Sequence, residues 1–182
     1  MTVDSAFTNS ALSDDALQEQ ASRLGALLLN KRLSVATAES CTGGWIAKTF
    51  TDVSGSSAWF YGGIVSYSNE AKQNLLGVTG DTLADHGAVS SEVVSQMALG
   101  ALDALGAQCA VSVSGVAGPG GGTAAKPVGL VWIGVAVKGG VASSVDTTSL
   151  ARKHHFDGSR DLVRRATVVA AIELIAEVLE SA

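Results

Sequence analysis

The amino-acid sequence predicts an α/β protein built as a three-layer α/β/α sandwich with a mixed β-sheet. Segments of helical period alternate with short apolar runs of strand length, the pattern of helices covering both faces of a sheet. Two apolar runs meet around Gly139-Gly140, a hairpin signal that brings antiparallel pairing into an otherwise α/β pattern and argues against a purely parallel sheet. No internal repeat is visible, and 182 residues fit one domain with a continuous core. Residues 1–12 are expected to form a flexible N-terminal arm, small and polar without periodicity, and 13–182 the domain.

Ser13 caps a first helix in which Leu17, Ala21, Leu24 and Leu28 recur at helical spacing, ending near Asn30-Lys31. Leu33 to Ala38 is a short buried strand, and a helix runs from Gly44 to about Asp52. After the turn Val53–Ser57, Ala58 to Tyr67 reads as a strand whose paired Gly62-Gly63 mark a bulge or the close approach of a ligand. Ser68-Asn69 cap a short helix, Glu70 to Leu76, that carries Lys72 in its first turn and stops at Gly77. Asp81 to His86 forms one more turn, and Ser90 caps the helix of Val94, Met97, Ala101 and Leu105, which Gly106 ends. Cys109, Val111 and Val113 alternate along the next strand, followed by a hairpin of Val128–Val137 and Val141–Thr148. The last helix, from about Gly158 to Glu180, presents Leu162, Ala166, Val169, Ile172, Ala176 and Leu179 on one apolar face. In its first turns Arg164 and Arg165 read as solvated ion pairs with Asp157 and Asp161, and Arg160, in a Gly-Ser-Arg turn, as an anion site.

Composition narrows the function classes. A net charge of −5 gives no general footprint for nucleic acid, so any bound anion must be held locally. Cys41 and Cys109 lie far apart and match no zinc spacing, and His86, His154 and His155 form neither a metal cluster nor a nucleophile–base spacing. No metal and no cofactor is expected. The first ten residues lack the basic start and apolar run of a signal peptide, and the longest apolar run, Leu130–Val137, is too short for a bilayer, so no membrane partner and a reducing cytoplasm are expected.

The stretch Ala36-Thr-Ala-Glu-Ser-Cys-Thr-Gly-Gly-Trp45 concentrates hydroxyl, thiol, carboxylate and glycine residues where a strand gives way to a helix. Ser40, Cys41 and Thr42 are expected near the positive end of that helix, with Gly43 and Gly44 forming the turn and backbone N–H groups open to an oxyanion or phosphate. By itself the stretch fits a capped helix start as well as a catalytic turn. The glycine-rich run from Gly115 to Lys126 is neither a Walker loop nor a dinucleotide fingerprint, and fits a mobile connection as well as a binding loop.

Taken together, Ala38-Glu-Ser-Cys-Thr-Gly-Gly44, Gly63-Ile-Val-Ser-Tyr-Ser-Asn-Glu-Ala-Lys72, Gly87-Ala-Val-Ser90, Ser114-Gly-Val-Ala-Gly-Pro-Gly-Gly-Gly122 and Lys126-Pro-Val-Gly129 resemble the C-terminal domain family of the competence/damage-inducible protein CinA. The resemblance spans about residues 13–180 and implies that family's fold. Standalone members are nicotinamide mononucleotide deamidases, so it also implies hydrolysis of that carboxamide to nicotinate mononucleotide and ammonia in pyridine nucleotide salvage, by a homodimer. Carried over by motif, Ser40 is the nucleophile, with Tyr67 and Lys72 its activating pair. Ser114, Gly115, Gly118, Gly120, Gly121, Gly122, Thr123 and Arg160 match substrate-binding positions, and Glu39 is placed with them as a supporting carboxylate that orients the site or bonds the neighbouring backbone. Ser114 replaces a more usual threonine, and His155-Phe-Asp-Gly-Ser-Arg160 replaces a more usual Phe-Pro-Gly-Asp-Arg. The chemistry is coherent: an unreactive amide needs an activated serine, and a lysine in a helix's first turn, partly buried, loses basicity to both the dipole and desolvation. The competing class is a non-catalytic nucleotide-binding or regulatory module, which needs the glycine loop and Arg160 but no base.

Overall fold

The computed structural model describes residues 2–4, 9–139 and 147–181. Its strands are β1 (Thr2–Asp4), β2 (Val35–Glu39), β3 (Phe60–Val65), β4 (Cys109–Gly115), β5 (Leu130–Val137) and β6 (Thr148–His155). They form one sheet in the order β1-β6-β5-β4-β2-β3. Pairing is parallel for β1/β6, β4/β2 and β2/β3, and antiparallel for β4/β5 and β5/β6, so the sheet is mixed as expected. The helices are α1 (Asp14–Lys31), α2 (Trp45–Thr51), α3 (Asn69–Leu76), α4 (Gly80–His86), α5 (Ser91–Leu105) and α6 (Arg160–Glu180).

The helices divide into two layers. α1, α2 and α6 bury Leu24, Leu28, Phe50 and Ile175 against one face of the sheet. On the other face α5, flanked by α3 and α4, buries Val93, Met97 and Leu102 against Ala36, Ala38, Ala110 and Ala136. Alanines on the sheet leave room for α5 to lie close, and Met97 fills core volume. Beneath α2, the rings of Phe50, Trp59 and Phe60 meet at centroid distances of 5.3 to 6.4 Å, edge-on or tilted. Such pairs add about 0.5–1.5 kcal/mol each beyond burial.

Local signals account for most element ends. The hydroxyls of Ser13, Ser68 and Ser90 accept the backbone N–H groups of Ala16, Ala71 and Val93, each satisfying a donor of the first helical turn. The paired glycines of β3 do make a bulge: the β2 register jumps from Val35↔Phe60 to Ala36↔Gly62. The close approach at Gly63 comes from the protein itself, because a side chain there would collide with the Thr37 hydroxyl and Ala47.

Three expectations need correction. The arm contains structure: Thr2–Asp4 pair with Lys153–His155 at the sheet edge, and Asn9–Leu12 form a 3-10 turn. An edge strand needs only backbone partners, which leave no periodic mark in sequence. The strand read over Val141–Thr148 lies outside the described residues except for its end, and the partner of β5 runs from Thr148 to His155. Finally, α2 starts at Trp45, one residue past the expected Gly44, which stands at its N-cap with no side chain to cap it.

Candidate active site

At the C-terminal ends of β2 and β4 a cleft of about 220 Å³ is lined by Ser40, Cys41, Tyr67, Lys72, Ser114 and Arg160, with Ala88, Val89, Gly115 and Ala117. Parallel strands point their C-terminal ends at such crevices, and β2 and β4 are adjacent parallel strands here. Ser40 directly follows β2, and its N–H donates to the Val113 carbonyl at 3.1 Å, so the sheet register fixes the serine backbone.

Glu39 builds the turn that follows. Its carboxylate is fully buried and accepts from the Thr42 hydroxyl (2.6 Å) and the N–H groups of Gly44 (3.0 Å), Ile46 (3.1 Å) and Ala47 (2.8 Å). A carboxylate at a helix N-terminus meets both the unpaired donors and the positive dipole end. The cap of α2 therefore comes from the strand before it. Glu39 thus bonds the neighbouring backbone, in keeping with a supporting role. As a substrate contact it is corrected, being closed off from the cleft, and the Gly44, Ile46 and Ala47 N–H groups are engaged by it instead of open to an anion. Gly43 N–H also has an acceptor, the Ser40 carbonyl at 3.1 Å. Cys41 lines the cleft, and its N–H has no backbone acceptor outside its own residue among the described residues.

Lys72 reaches the serine from α3. Its Nζ lies 3.0 Å from Ser40 Oγ, donates to the Ser66 carbonyl at 2.7 Å and lies 3.4 Å from the Tyr67 carbonyl. Only 1% of Lys72 is exposed, and it forms no ion pair among the described residues. Burial lowers its pKa below the ordinary lysine value of 10.5. Burial has the opposite effect on the neighbouring Cys41 thiol, pushed up to about 12, so that sulfur stays protonated and a poor nucleophile. Cys109, buried in β4, is pushed up in the same way.

Tyr67 meets Lys72 only through its carbonyl. The side chain is 64% exposed, and its hydroxyl accepts from Arg160 Nη2 at 3.2 Å. Arg160, the first residue of α6, also donates to the Gly118 carbonyl at 2.8 Å, which ties the helix, the glycine loop and the cleft rim together. Ser114 Oγ donates to the Ala88 carbonyl at 2.7 Å and so fixes the opposite wall.

A family model described as CinA C-terminal domain matches residues 17–179. The chain belongs to the CinA C-terminal domain family. It is 48% identical over 164 residues to the nicotinamide-nucleotide amidohydrolase PncC of Escherichia coli (strain K12), covering 90% of this chain and 95% of that protein. With the nicotinamide-nucleotide amidohydrolase PncC of Enterobacter agglomerans it shares 51% over 162 residues, covering 89% and 94%. The crystal structure of competence/damage inducible protein CihA from Agrobacterium tumefaciens matches with a TM-score of 0.82 at 40% identity, over 96% of this chain and 98% of that one.

Among the residues singled out from the CinA C-terminal domain motifs, Ser40, Cys41, Tyr67, Lys72, Ser114, Gly115 and Arg160 share the cleft, and Gly118 joins it through Arg160. Gly120, Gly121, Gly122 and Thr123 are exposed and do not line it. The Thr123 hydroxyl and N–H are engaged within their own turn, by Lys126 N–H (3.0 Å) and the Lys126 carbonyl (2.9 Å). Lys126 Nζ instead donates to the His86 carbonyl at 2.6 Å, holding the loop that carries Ala88 and Val89. Sequence reasoning missed the Ser66 carbonyl, because a backbone acceptor has no residue signature. It also misassigned Arg164, which pairs with no aspartate among the described residues and donates to the Thr42 carbonyl at 2.5 Å. The four-residue spacing from Arg160, one helical turn on the same face, was the available signal.

Proposed function

We propose that this chain hydrolyses the carboxamide of nicotinamide mononucleotide to nicotinate mononucleotide and ammonia, with Ser40 as nucleophile and Lys72 as its base. The observation that carries this reading is a buried lysine, without a counter-ion among the described residues, 3.0 Å from a serine oxygen in a cleft. A neutral amine has two N–H groups and one lone pair. With the carbonyls of Ser66 and Tyr67 accepting the N–H groups, the lone pair is left for the Ser40 hydroxyl. Direct contact favours Lys72 over the Tyr67 phenol as the group that takes the proton.

Ser40 Oγ attacks the amide carbon as Lys72 takes its proton. The carbonyl oxygen gains the negative charge, and the N–H of Cys41, which lines the cleft, is a turn donor to meet it. Collapse of this intermediate breaks the C–N bond, and Lys72 returns the proton to the departing nitrogen, giving ammonia and an acyl-serine. Water, deprotonated by Lys72, then attacks the ester; the C–O bond to Ser40 breaks as Lys72 returns that proton to Ser40 Oγ, releasing the carboxylic acid and the free enzyme. Arg160 on the same rim is the cation for the ribose phosphate, and Tyr67 holds it in place.

The relatives named nicotinamide-nucleotide amidohydrolase support the substrate. A regulatory module has no use for a desolvated lysine on a serine, so the non-catalytic alternative is the weaker reading. A homodimer, from the family resemblance, and a cytoplasmic setting, from the cysteine usage, are further proposals; among the described residues no helix is long and apolar enough to cross a membrane. Sedimentation showing only an 18 kDa species at micromolar concentration overturns the dimer. Purified protein incubated with nicotinamide mononucleotide should release ammonia stoichiometrically with nicotinate mononucleotide. Binding without ammonia release overturns the amidase.

A further inference from the structure

We propose that Arg164 is a positioning residue for the nucleophile: from outside the cleft its guanidinium fixes the Thr42 carbonyl, and with it the peptide turn that presents Ser40 Oγ and the Cys41 N–H. The substrate part of this inference rests on the amidase reading, and the turn itself does not.

The turn from Ser40 to Gly44 is held on two sides. Glu39 takes the Thr42 hydroxyl and the N–H groups behind it, as described above. Arg164 takes the Thr42 carbonyl, donating from Nη2 at 2.5 Å. Thr42 is fully buried, so water cannot replace that donor. A charged donor on a buried carbonyl is among the stronger hydrogen bonds available to a protein. Between the two contacts Gly43 makes the turn at φ +63°, a backbone conformation that side-chain-bearing residues rarely adopt.

The guanidinium is itself held. Its central carbon lies 4.9 Å from the centroid of the Trp45 ring, the first residue of α2. Arg165 stacks on the same ring at 4.7 Å and is anchored by Asp14 (2.5 Å) and Asp161 (2.8 Å). The two arginines differ in kind. Arg165 makes the ion pairs expected of a surface arginine, whereas Arg164 makes none among the described residues and keeps its buried Nε without an acceptor. Arg164 therefore accepts a desolvation cost to reach one backbone oxygen, and that oxygen belongs to the nucleophile turn. Arg160, one turn earlier on α6, reaches the rim of the same cleft. The start of α6 thus braces the site from behind and from the front.

The test compares wild type with Arg164→Met, which keeps the packing on Trp45 but removes every donor, and Arg164→Lys, which restores one charged donor. Two rates are measured on the full chain: covalent labelling of Ser40 by an alkyl fluorophosphonate, and ammonia release from nicotinamide mononucleotide. Loss of turn geometry should cost about 10–100-fold in labelling rate and in kcat, short of the 10²–10³ seen when an oxyanion donor is removed outright. KM should stay within about threefold, and Arg164→Lys should recover part of both rates at a thermal midpoint near that of wild type. Should Arg164→Met fail to fold, Arg164→Lys decides, being slower than wild type at unchanged KM. Wild-type rates in a folded variant, or a rise in KM alone, overturn the positioning role. Slower labelling in a protein that releases no ammonia keeps the role of Arg164 and removes the mononucleotide as substrate. Ammonia release with unchanged labelling does the reverse. A wild type that neither labels nor releases ammonia overturns both.

Discussion

Lys72 Nζ stands 3.0 Å from Ser40 Oγ across 32 residues of sequence, and its other two contacts are backbone carbonyls, which neither supply nor remove a charge. Burial opposes the ammonium form and outweighs the opposite pull of the neighbouring Cys41. Activity should therefore rise with pH as Lys72 loses its proton, with the acid limb of kcat/KM below the 10.5 of a free lysine. Lys72→Met should lose about 10²–10⁴-fold in kcat. The same substitution should raise the thermal midpoint near neutral pH: a depressed lysine pKa means the folded chain binds fewer protons than the unfolded one between the two pKa values, so stability is lost as pH falls, and methionine removes that loss. A variant with unchanged kcat removes Lys72 as the base.

Ser40 and Cys41 are adjacent nucleophile types with opposite expectations. Ser40→Ala should abolish ammonia release with the fold intact, while Cys41→Ala should keep activity within about tenfold, because a thiol held near pKa 12 is not the attacking group. Iodoacetamide at pH 8 should leave the wild type active. Inactivation tracking alkylation of Cys41 would reverse the assignment.

Glu39 acts on stability first. Glu39→Gln replaces an acceptor of four short hydrogen bonds with a group that carries donors of its own, and should cost about 2–4 kcal/mol in urea unfolding. A change under 0.5 kcal/mol shows that the cap of α2 is dispensable.

Arg160→Ala should lower kcat/KM more for nicotinamide mononucleotide than for nicotinamide riboside, which has no phosphate. Remote binding energy contributes to positioning the amide, so the deficit should appear in kcat as well as in KM. Equal losses for both substrates withdraw the phosphate role from Arg160.

His154 sets acid tolerance. It is buried in β6, stacked on Phe156 at 5.3 Å with both ring nitrogens unpartnered, and burial lowers its pKa to about 4. The folded chain resists a proton that the unfolded chain binds below about 6.5, so stability is full above that pH and falls between 6.5 and about 4 by roughly 2–3 kcal/mol. His154→Phe should flatten this part of the urea-midpoint profile. An unchanged profile assigns the acid loss to other groups.

Legibility followed the range of the interaction. Ser13, Ser68 and Ser90 were readable as caps, and Gly77 and Gly106 as stops, because each acts within one turn of its own helix. Lys72 was recognisable only through its motif, since the contact that matters spans two elements. β6 was invisible: Thr-Ser-Leu-Ala-Arg-Lys-His-His has no apolar alternation, and it becomes a strand because β5 and β1 flank it. Glu39 and Arg164 could not be assigned without the turn between them. A carboxylate capping a helix that starts six residues later, or an arginine 122 residues away, makes sense only after the chain has folded back.

The filled end of α2 bears on turnover as well as on architecture. On the amidase reading the reacting carboxamide is neutral and becomes a carboxylate, and a bare helix terminus beside the serine would bind that product group more tightly than the amide. Because Glu39 already occupies the N–H groups of that terminus, a carboxylate formed at Ser40 would find no waiting anion hole there. Electrostatics at that end of the cleft then favour departure of the product over its retention.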